Sequence, residues 1–396
     1  MKVLYANPIF LDYRIPFFQQ LNKLLNGNFY ILYSTNRYIG RFDDLLARIP
    51  KELGKSAIPY TKEKTFYFDS FSFKYKAVAR EKPKRFLPYA IPFPFGLYKM
   101  IKGQRPDVLI TEGFYQWTPL LCIYAKIHHI PIFLSYERTM YTERNVSKIK
   151  TIQRKMVDKL ITGYFVNGKE TIKYLKSIGI NSGKIFVGGM NADSEGLRNS
   201  IAAYSKEDKI AFRRNFIDDG GGLIFLFSGQ MIERKGVKHL LESWIEHVKK
   251  YNNDKLILIG GGPLYNQYSK QYKGVPSIYM EGRIPYNIVY KYYAIADVFI
   301  LPTIEDNWSL VIPEAMACGL PVATSIYNGC HSELVKKGIN GITFDTYNHE
   351  TIIEALGYFH TQDLKLFGKN SIKLEEPFNA INSAKRIYQV LSKYNK

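Results

Sequence analysis

Cysteine is scarce in this chain of 396 residues, with only Cys122, Cys318 and Cys330. Three widely separated cysteines exclude a disulfide framework and give no zinc-ligand spacing. The chain also contains no Asp-x-Asp motif and no His/Asp cluster at metal-ligand spacing. We therefore expect a protein of a reducing compartment that uses neither a metal nor another cofactor.

Long apolar runs are missing as well. No stretch reaches the ~18 consecutive apolar residues of a membrane-spanning helix, and Met1-Lys2 is not followed by the apolar core of a signal peptide. The nearest candidate, residues 120–134, is interrupted by Lys126, His128 and His129. We expect a cytoplasmic protein, peripheral at most to the cytoplasmic face of the membrane.

Acidic residues are outnumbered, since 35 Asp and Glu face 55 Lys and Arg and give a formal charge of +20. This surplus favours anionic partners such as nucleic acid, an anionic membrane surface or phosphate-bearing small molecules. A coding bias toward Lys, Asn, Ile and Tyr would produce part of the same excess. Residues 71–102 mix cations, aromatics and prolines, which suits a contact with anionic lipids, a contact with nucleic-acid phosphates and bases, or an ordinary loop and helix.

Apolar runs of strand length alternate with helical patterns along the whole chain. The runs fall at residues 2–6, 29–34, 107–111, 131–136 and 185–189, and then at 223–229, 255–261, 277–282, 297–303, 321–325 and 341–345. Uninterrupted apolar strands separated by helices are typical of parallel sheets covered on both faces. We predict an α/β protein with two doubly wound, Rossmann-like domains, at residues 1–200 and 201–377, and a terminal helix at 378–396 that packs back toward the first domain.

The segment EDNWSLVIPEAMACGLPV (305–322) carries the chemistry. We predict a loop over 304–312 and a short helix over 313–318, with Pro313 at the first helical position and Glu314 in the first turn. A loop at the carboxyl end of a parallel strand is where such sheets bind ligands. The carboxylates of Asp306 and Glu314 suit sugar or ribose hydroxyls, although Glu314 alone could simply stabilise the helix N-terminus.

Two further loops follow predicted strands of the same sheet. One contains Arg234 and Lys235, and Lys235 could neutralise a departing diphosphate, although basic pairs on loops are often only solvated surface. The other is the triple glycine 260–262, which permits close backbone approach. Because all three loops leave the carboxyl ends of strands in one sheet, we expect them to converge on one cleft.

Residues 223–345 resemble the donor domain of GT-B glycosyltransferases of the family-4 type, the retaining glycosyl transferases of group 1. The resemblance lies in Gly229-x5-Lys235-Gly236, the glycines at 260–262 before Pro263, Ala296-Asp297 before a strand, and the acid-x7-Glu segment with Gly-Leu-Pro after it. It implies two domains that face a cleft. It also implies that Glu314 holds the nucleotide ribose, Asp306 the transferred sugar, and Lys235 the leaving group, which makes these three the catalytic candidates.

The resemblance implies a wider donor-binding set, consisting of Gly229, Gln230, Arg234, Lys235, Gly261, Arg283, Asp306, Asn307, Trp308, Ser309, Leu310 and Glu314. Three positions depart from the family pattern: Asp306 stands in place of the usual Glu, beside Glu305, Gln230 stands where many members have Arg, and Ser309 stands where Gly is frequent. On the acceptor side the candidates are Asp12, Arg14, Glu137 and Arg138. Glu137 and Arg138 replace a frequent His by position, and could equally form a structural ion pair.

The function implied is transfer of a sugar, with retention of configuration, from a UDP- or GDP-type nucleotide-sugar to a glycan or lipid-diphosphate-linked glycan, as in bacterial surface polysaccharide or lipopolysaccharide assembly. A nucleotide-sugar 2-epimerase of the same fold is the first alternative and would need more acids and a His in the cleft. A basic nucleic-acid-binding protein is the second, and it leaves the 305–322 segment unexplained. We expect no nucleic-acid partner.

Overall fold

The computed structural model describes residues 1–10, 12–35, 45–69, 72–74, 90–189, 191–218 and 221–394. Half of the basic stretch at residues 71–102, namely residue 71 and residues 75–89, lies outside these ranges. The strands are β1 Val3–Asn7, β2 Phe29–Ser34, β3 Ala57–Tyr60, β4 Glu63–Asp69, β5 Ser72–Lys74, β6 Ala90–Pro94, β7 Val108–Glu112, β8 Ile132–Tyr136, β9 Gly163–Val166, β10 Ile185–Val187, β11 Ile224–Ser228, β12 Lys255–Ile259, β13 Ile278–Gly282, β14 Val298–Leu301, β15 Val322–Ser325 and β16 Gly341–Phe344.

The α-helices lie between these strands and after the last one. They are α1 Ile15–Leu24, α2 Leu45–Leu53, α3 Leu97–Gln104, α4 Trp117–His128, α5 Lys148–Asp158, α6 Lys169–Ser177, α7 Ser194–Ala203, α8 Lys206–Arg213, α9 Val237–His247, α10 Tyr265–Gln271, α11 Tyr290–Ile295, α12 Val311–Ala317, α13 His331–Leu334, α14 His349–Tyr358, α15 Leu364–Glu375 and α16 Ala380–Ser392.

Two parallel sheets organise the molecule, which confirms the predicted fold class. The first has seven strands in the order β10-β9-β8-β7-β1-β2-β3, and the second has six in the order β13-β12-β11-β14-β15-β16. Strands such as β1 and β14 are buried along their full length, because helices cover both faces of each sheet. The strands β3 and β9, and the small antiparallel sheet β5-β4-β6, were not predicted.

The order of the second sheet reverses beside its central strand. Strand β11 pairs with β12 on one side and with β14 on the other, in parallel throughout. The loops that follow β11 and β14 therefore leave the sheet as neighbours at the same edge. Ligands of doubly wound sheets bind at such a switch point.

The helices at the two ends of the second half of the chain, α7 and α16, pack against different domains. Leu197 of α7 is already buried in the core of the second sheet. The terminal helix α16 instead buries Ala384, Ile387 and Leu391 in the core of the first domain, against α1. Asn191 Nδ2 donates to Ser383 Oγ over 2.7 Å and helps to hold α16 against the first domain.

One predicted boundary was wrong. Helix α12 begins at Val311, two residues before the predicted start, so Pro313 is its third residue rather than its first. The proline still breaks no helical hydrogen bond, because N–H groups of the first turn have no intrahelical partner. Among the described helices, none is long and apolar enough to cross a membrane.

Candidate active site

The loops after β11 and β14 are joined by their backbones. The carbonyl oxygen of Arg234 accepts hydrogen bonds from Ile304 N–H at 2.9 Å and from Thr303 Oγ1 at 3.0 Å. Gly236 ends the first loop with φ of 66°, and a Cβ there would lie 1.9 Å from the Pro302 carbonyl oxygen. Only glycine fits this contact, so the Lys-Gly pair lets Lys235 sit against the second loop.

The third loop packs on the first from the other side. Gly260 has φ of 128°, and a Cβ on it would lie 1.8 Å from the Gly229 carbonyl oxygen. Met231 N–H donates to Gly261 O over 2.9 Å. The structure thus brings the three loops together at one edge of the sheet, with Gln230 and Arg283 exposed beside them.

Lys235 and Asp306 form an ion pair where the first two loops meet. Lys235 Nζ lies 2.5 Å from Asp306 Oδ2, and Arg234 Nη1 lies 3.6 Å from the same oxygen. Burial alone would raise the pKa of the Asp306 carboxyl, but the Lys235 ammonium, together with Ser309 and Arg234, outweighs burial and holds this pKa below its ordinary value. Asp306 is therefore a carboxylate at neutral pH.

Glu305 faces a different partner from Asp306. Its Oε2 lies 2.7 Å from Nη1 of Arg144, a residue of the first domain. Its carbonyl oxygen accepts a hydrogen bond from Arg234 Nη1 at 2.7 Å. The two neighbouring acids thus serve different contacts, one across the cleft and one within the donor domain.

Glu314 is buried in the first turn of α12, and each of its carboxylate oxygens accepts a hydrogen bond. Tyr286 OH donates to Oε1 over 3.3 Å, and Tyr293 OH donates to Oε2 over 3.2 Å. These tyrosines fix the orientation of the carboxylate. Neither tyrosine was predicted, because nothing in the local sequence connects residues 286 and 293 to position 314.

The turn between the two acids offers polar atoms that the protein leaves open. Within the described part of the chain, Asn307 Oδ1 and Trp308 Nε1 are buried and have no hydrogen-bond partner. Leaving a buried polar group unpaired costs about 1–3 kcal/mol, so two in succession indicate a loop shaped for polar atoms of a ligand. Ser309 and Leu310 complete the turn and are both buried.

Asn328 supports this turn from beneath and was not predicted. Its Oδ1 accepts from Ser309 N–H at 3.4 Å, and its Nδ2 donates to Thr324 Oγ1 over 3.2 Å. Next to it, Gly329 N–H donates to the Asp306 carbonyl oxygen over 3.0 Å. The turn after β15 is thus the platform on which the 306–309 turn rests.

The acceptor-side candidates lie in different surroundings. Arg14 is buried and pairs with Glu112 through both guanidinium nitrogens, at 2.6 and 2.9 Å, so its charge is engaged inside the first domain. The side chain of Asp12 lies outside the described part of the structure. Arg138 Nε lies 3.2 Å from Glu143 Oε1, so Arg138 pairs with Glu143 and not with Glu137.

Glu137 is the first-domain carboxyl that meets the donor loop. It follows β8, and its Oε1 accepts from Asn307 Nδ2 across the cleft at 3.4 Å. Burial raises the pKa of Glu137 to about 7, with the nearby Glu112 adding to the effect and Arg14 opposing it. A carboxyl that titrates near neutrality thus lies opposite Asp306 and Asn307.

Among the described residues, two groups of side chains offer ligand atoms for a metal ion. His239, Glu242 and His349 offer ligand atoms within 4.8 Å of one another, as do His247, Asp254 and His360. Sequence spacing does not show these groups, because each depends on a histidine, His349 or His360, that lies far along the chain from its other members. In the second group Asp254 Oδ2 lies 2.8 Å from Nε2 of each histidine, as in a hydrogen-bonded network.

The part of the chain that contains these loops matches a known protein family. Residues 222–362 match the family described as glycosyl transferases group 1. The chain is 29% identical over 155 residues to an uncharacterized glycosyltransferase of Methanocaldococcus jannaschii, covering 37% of this chain and 38% of that protein. It is 25% identical over 192 residues to the alpha-monoglucosyldiacylglycerol synthase of Acholeplasma laidlawii, covering 47% and 46%. The matches thus span less than half the length of these two relatives.

Solved structures share the whole fold. The Anabaena Alr3699/HepE protein in complex with UDP superposes with a TM-score of 0.71 at 14% identity, covering 99% of this chain and 100% of that one. The lipopolysaccharide outer core galactosyltransferase WaaB, in its apo form, gives a TM-score of 0.65 at 14% identity, covering 99% and 100%. At this identity the likeness shows the GT-B fold alone.

Proposed function

We propose that the protein transfers a sugar from a nucleotide-sugar to an acceptor, on the basis that residues 222–362 match the family described as glycosyl transferases group 1. The observation that carries the proposal is the arrangement around the 306–309 turn. An ionised acid at Asp306 and a cation at Lys235 stand at one end of the turn, and an oriented acid at Glu314 stands at the other. Unpaired polar atoms lie between them.

Each part of this arrangement suits one part of a UDP- or GDP-type sugar. Glu314 accepts hydrogen bonds from the ribose hydroxyls, and Asp306 accepts them from the transferred sugar. The diphosphate lies along the turn between them, beside the Lys235 ammonium. We propose that transfer proceeds without a metal ion, because the Lys235 ammonium and hydrogen-bond donors of the protein would stabilise the charge of the diphosphate there.

The proposed reaction retains the configuration of the sugar. The bond between the anomeric carbon and the diphosphate oxygen breaks, a bond from the acceptor oxygen forms on the same face, and the acceptor proton passes to the departing phosphate. Lys235 stabilises the negative charge that grows on that phosphate. The side chains thus bind and orient the reactants, and none of them acts as a nucleophile.

A glycan carried on a lipid diphosphate is the acceptor we propose, as in bacterial surface polysaccharide or lipopolysaccharide assembly. Support comes from the net charge of +20 and from a relative named for synthesis of a glucosyl lipid. Glu137 is positioned to meet the acceptor hydroxyl, since it is the first-domain carboxyl that contacts the donor loop.

The Lys235→Ala variant tests the proposal. The measured quantity is the rate at which nucleotide-sugars are hydrolysed when no acceptor is present. Removing one charge that acts on the leaving group typically lowers the rate ~10²–10³-fold. We expect that loss with little change in the affinity for free nucleoside diphosphate. Lys238→Ala is the matched control, because Lys238 is exposed on the next turn and pairs only loosely with Glu242, at 3.7 Å. Equal rates for Lys235→Ala and the parent would remove Lys235 from the mechanism.

A further inference from the structure

Helix α5 of the first domain exposes a stripe of apolar side chains to solvent. Ile149 is 80% exposed, Ile152 58% and Met156 64%. These positions are three and four residues apart and so share one side of the helix, while Arg154 and Val157 are buried on the other. Large apolar side chains grouped on an exposed face mark a contact surface.

Lysines flank this stripe. Lys148, Lys150, Lys155 and Lys159 are all exposed along α5 and its C-terminal end. The acid of the helix, Asp158, is engaged by Lys184 at 3.4 Å and does not offset them. An exposed helix with apolar side chains beside lysines is typical of helices that lie in the interface of an anionic membrane.

The neighbouring helix extends the surface. Ile123 and Ile127 of α4 are 52% and 56% exposed, with Lys126 exposed between them. Helices α4 and α5 connect the successive parallel strands β7, β8 and β9, so both cover the same face of the sheet. We call this surface the α4–α5 face and define it by Ile123, Ile127, Ile149, Ile152 and Met156 with their flanking lysines.

The position of α5 relates this face to the cleft. The helix is preceded by residues 137–147, which contain Glu137 and Arg144, the two residues that reach the donor loop. The N-terminal end of α5 therefore lies near the cleft. A bilayer against this face would lie close to the opening where an acceptor carried on a lipid must enter.

We infer that the α4–α5 face docks on an anionic lipid bilayer and presents the cleft to lipid-anchored acceptors. The role of the acceptor rests on the proposed function, whereas the docking itself does not. The charge of +20 complements an anionic surface, and the apolar stripe provides side chains that insert among the headgroups. The residues of this face are not among residues 71–102, for which the sequence analysis predicted a contact with anionic lipids.

Co-sedimentation with lipid vesicles tests the inference. The full chain is mixed with vesicles of phosphatidylcholine, with and without phosphatidylglycerol. One variant replaces Ile149, Ile152 and Met156 with Ser, and another replaces the lysines Lys148, Lys150, Lys155 and Lys159 with Gln. A control replaces Ile210, Ile339 and Leu366, which are similarly exposed elsewhere, with Ser.

We expect the parent and the control to bind only the anionic vesicles, and each α5 variant to bind at least about tenfold more weakly. Donor hydrolysis should be unchanged in all of them, which separates this test from that of the proposed function.

Parent-like binding by both α5 variants, or no binding by the parent, overturns the inference. The inference is also overturned if a variant with Gln at Lys74, Lys76, Lys82, Lys84 and Arg85 is released from the vesicles while both α5 variants stay bound. A parent dimer that the Ser variant dissociates in analytical ultracentrifugation would instead make the face an interface between copies.

Discussion

At the scale of single residues, the main result is the separation of Glu305 from Asp306. The sequence places the two acids side by side and could not decide between them. In the structure Asp306 pairs with Lys235 inside the donor domain, while Glu305 pairs with Arg144 of the first domain. The long-range partners make this distinction, and local sequence does not encode them.

Three substitutions follow from this separation. Glu314→Gln should weaken the binding of donor and of free nucleoside diphosphate alike, because both contain the ribose. Asp306→Asn should spare nucleoside diphosphate affinity and impair transfer, because only the intact donor presents a sugar there. Glu305→Gln should retain most of the transfer rate. Calorimetry with the nucleotide and transfer rates for each variant measure these effects. A large loss for Glu305→Gln with little for Asp306→Asn would reverse the assignment of the two acids.

Glu137 should give transfer a pH dependence near neutrality. Since its pKa is raised to about 7, the carboxyl loses its proton as pH rises through that value and becomes the better hydrogen-bond acceptor for orienting the substrate hydroxyl, whose proton still passes to the departing phosphate. We expect the transfer rate to rise through about pH 7 in the parent and to lose this step in Glu137→Gln. A Glu137→Gln profile that matches the parent would exclude this role.

The same ionisation affects folding in the opposite direction. An unfolded glutamate ionises at a lower pH than Glu137 does in the fold, so the folded state binds the extra proton between the ordinary value and about 7. Stability contributed by that proton is lost as pH rises through this window. The melting temperature of Glu137→Gln should therefore fall less than that of the parent over the same range.

At the scale of elements, strands and helices were predictable where their pattern is strong. Uninterrupted apolar runs such as β7 and β12 were recognised, whereas β3 and β9 have four residues each and contain proline or glycine. The predicted start of α12 erred because Pro313 is equally acceptable at any position of the first turn. The role of Asn328 was not predicted, since only the fold shows that it supports the 306–309 turn.

Asn328→Ala should therefore weaken donor binding, although Asn328 acts through the 306–309 turn and does not itself contact the donor. Loss of its hydrogen bonds frees the turn and leaves buried groups unpaired, at a cost of about 1–3 kcal/mol in stability. Asn348→Ala is the control: Asn348 caps α14 by accepting from Glu350 N–H at 3.1 Å, and losing a cap costs ~1 kcal/mol. Nucleotide affinity should fall for Asn328→Ala alone. An equal affinity in both variants would show that the turn holds its shape without Asn328.

At the scale of the whole molecule, the two domains meet through polar contacts around the cleft. Besides Arg144 with Glu305, Glu333 Oε2 accepts from Lys169 N–H at 3.0 Å, and Ser332 Oγ donates to Glu170 over 3.2 Å. The alternating pattern of the sequence was enough to predict two doubly wound domains. It could not predict which side chains cross between them, because those pairs are more than 160 positions apart in the sequence.

The central claim, that the 306–314 region binds a nucleoside diphosphate through protein groups alone, is tested most directly by thermal unfolding with UDP, GDP or ADP in the presence of EDTA. A ligand at ~100 times its dissociation constant adds about 2.7 kcal/mol to the free energy of unfolding. We predict that at least one of the three raises the melting temperature of the parent without metal, and raises that of Glu314→Gln much less. No shift with any nucleotide, or a shift that appears only with Mg²⁺ or Mn²⁺, would contradict the account.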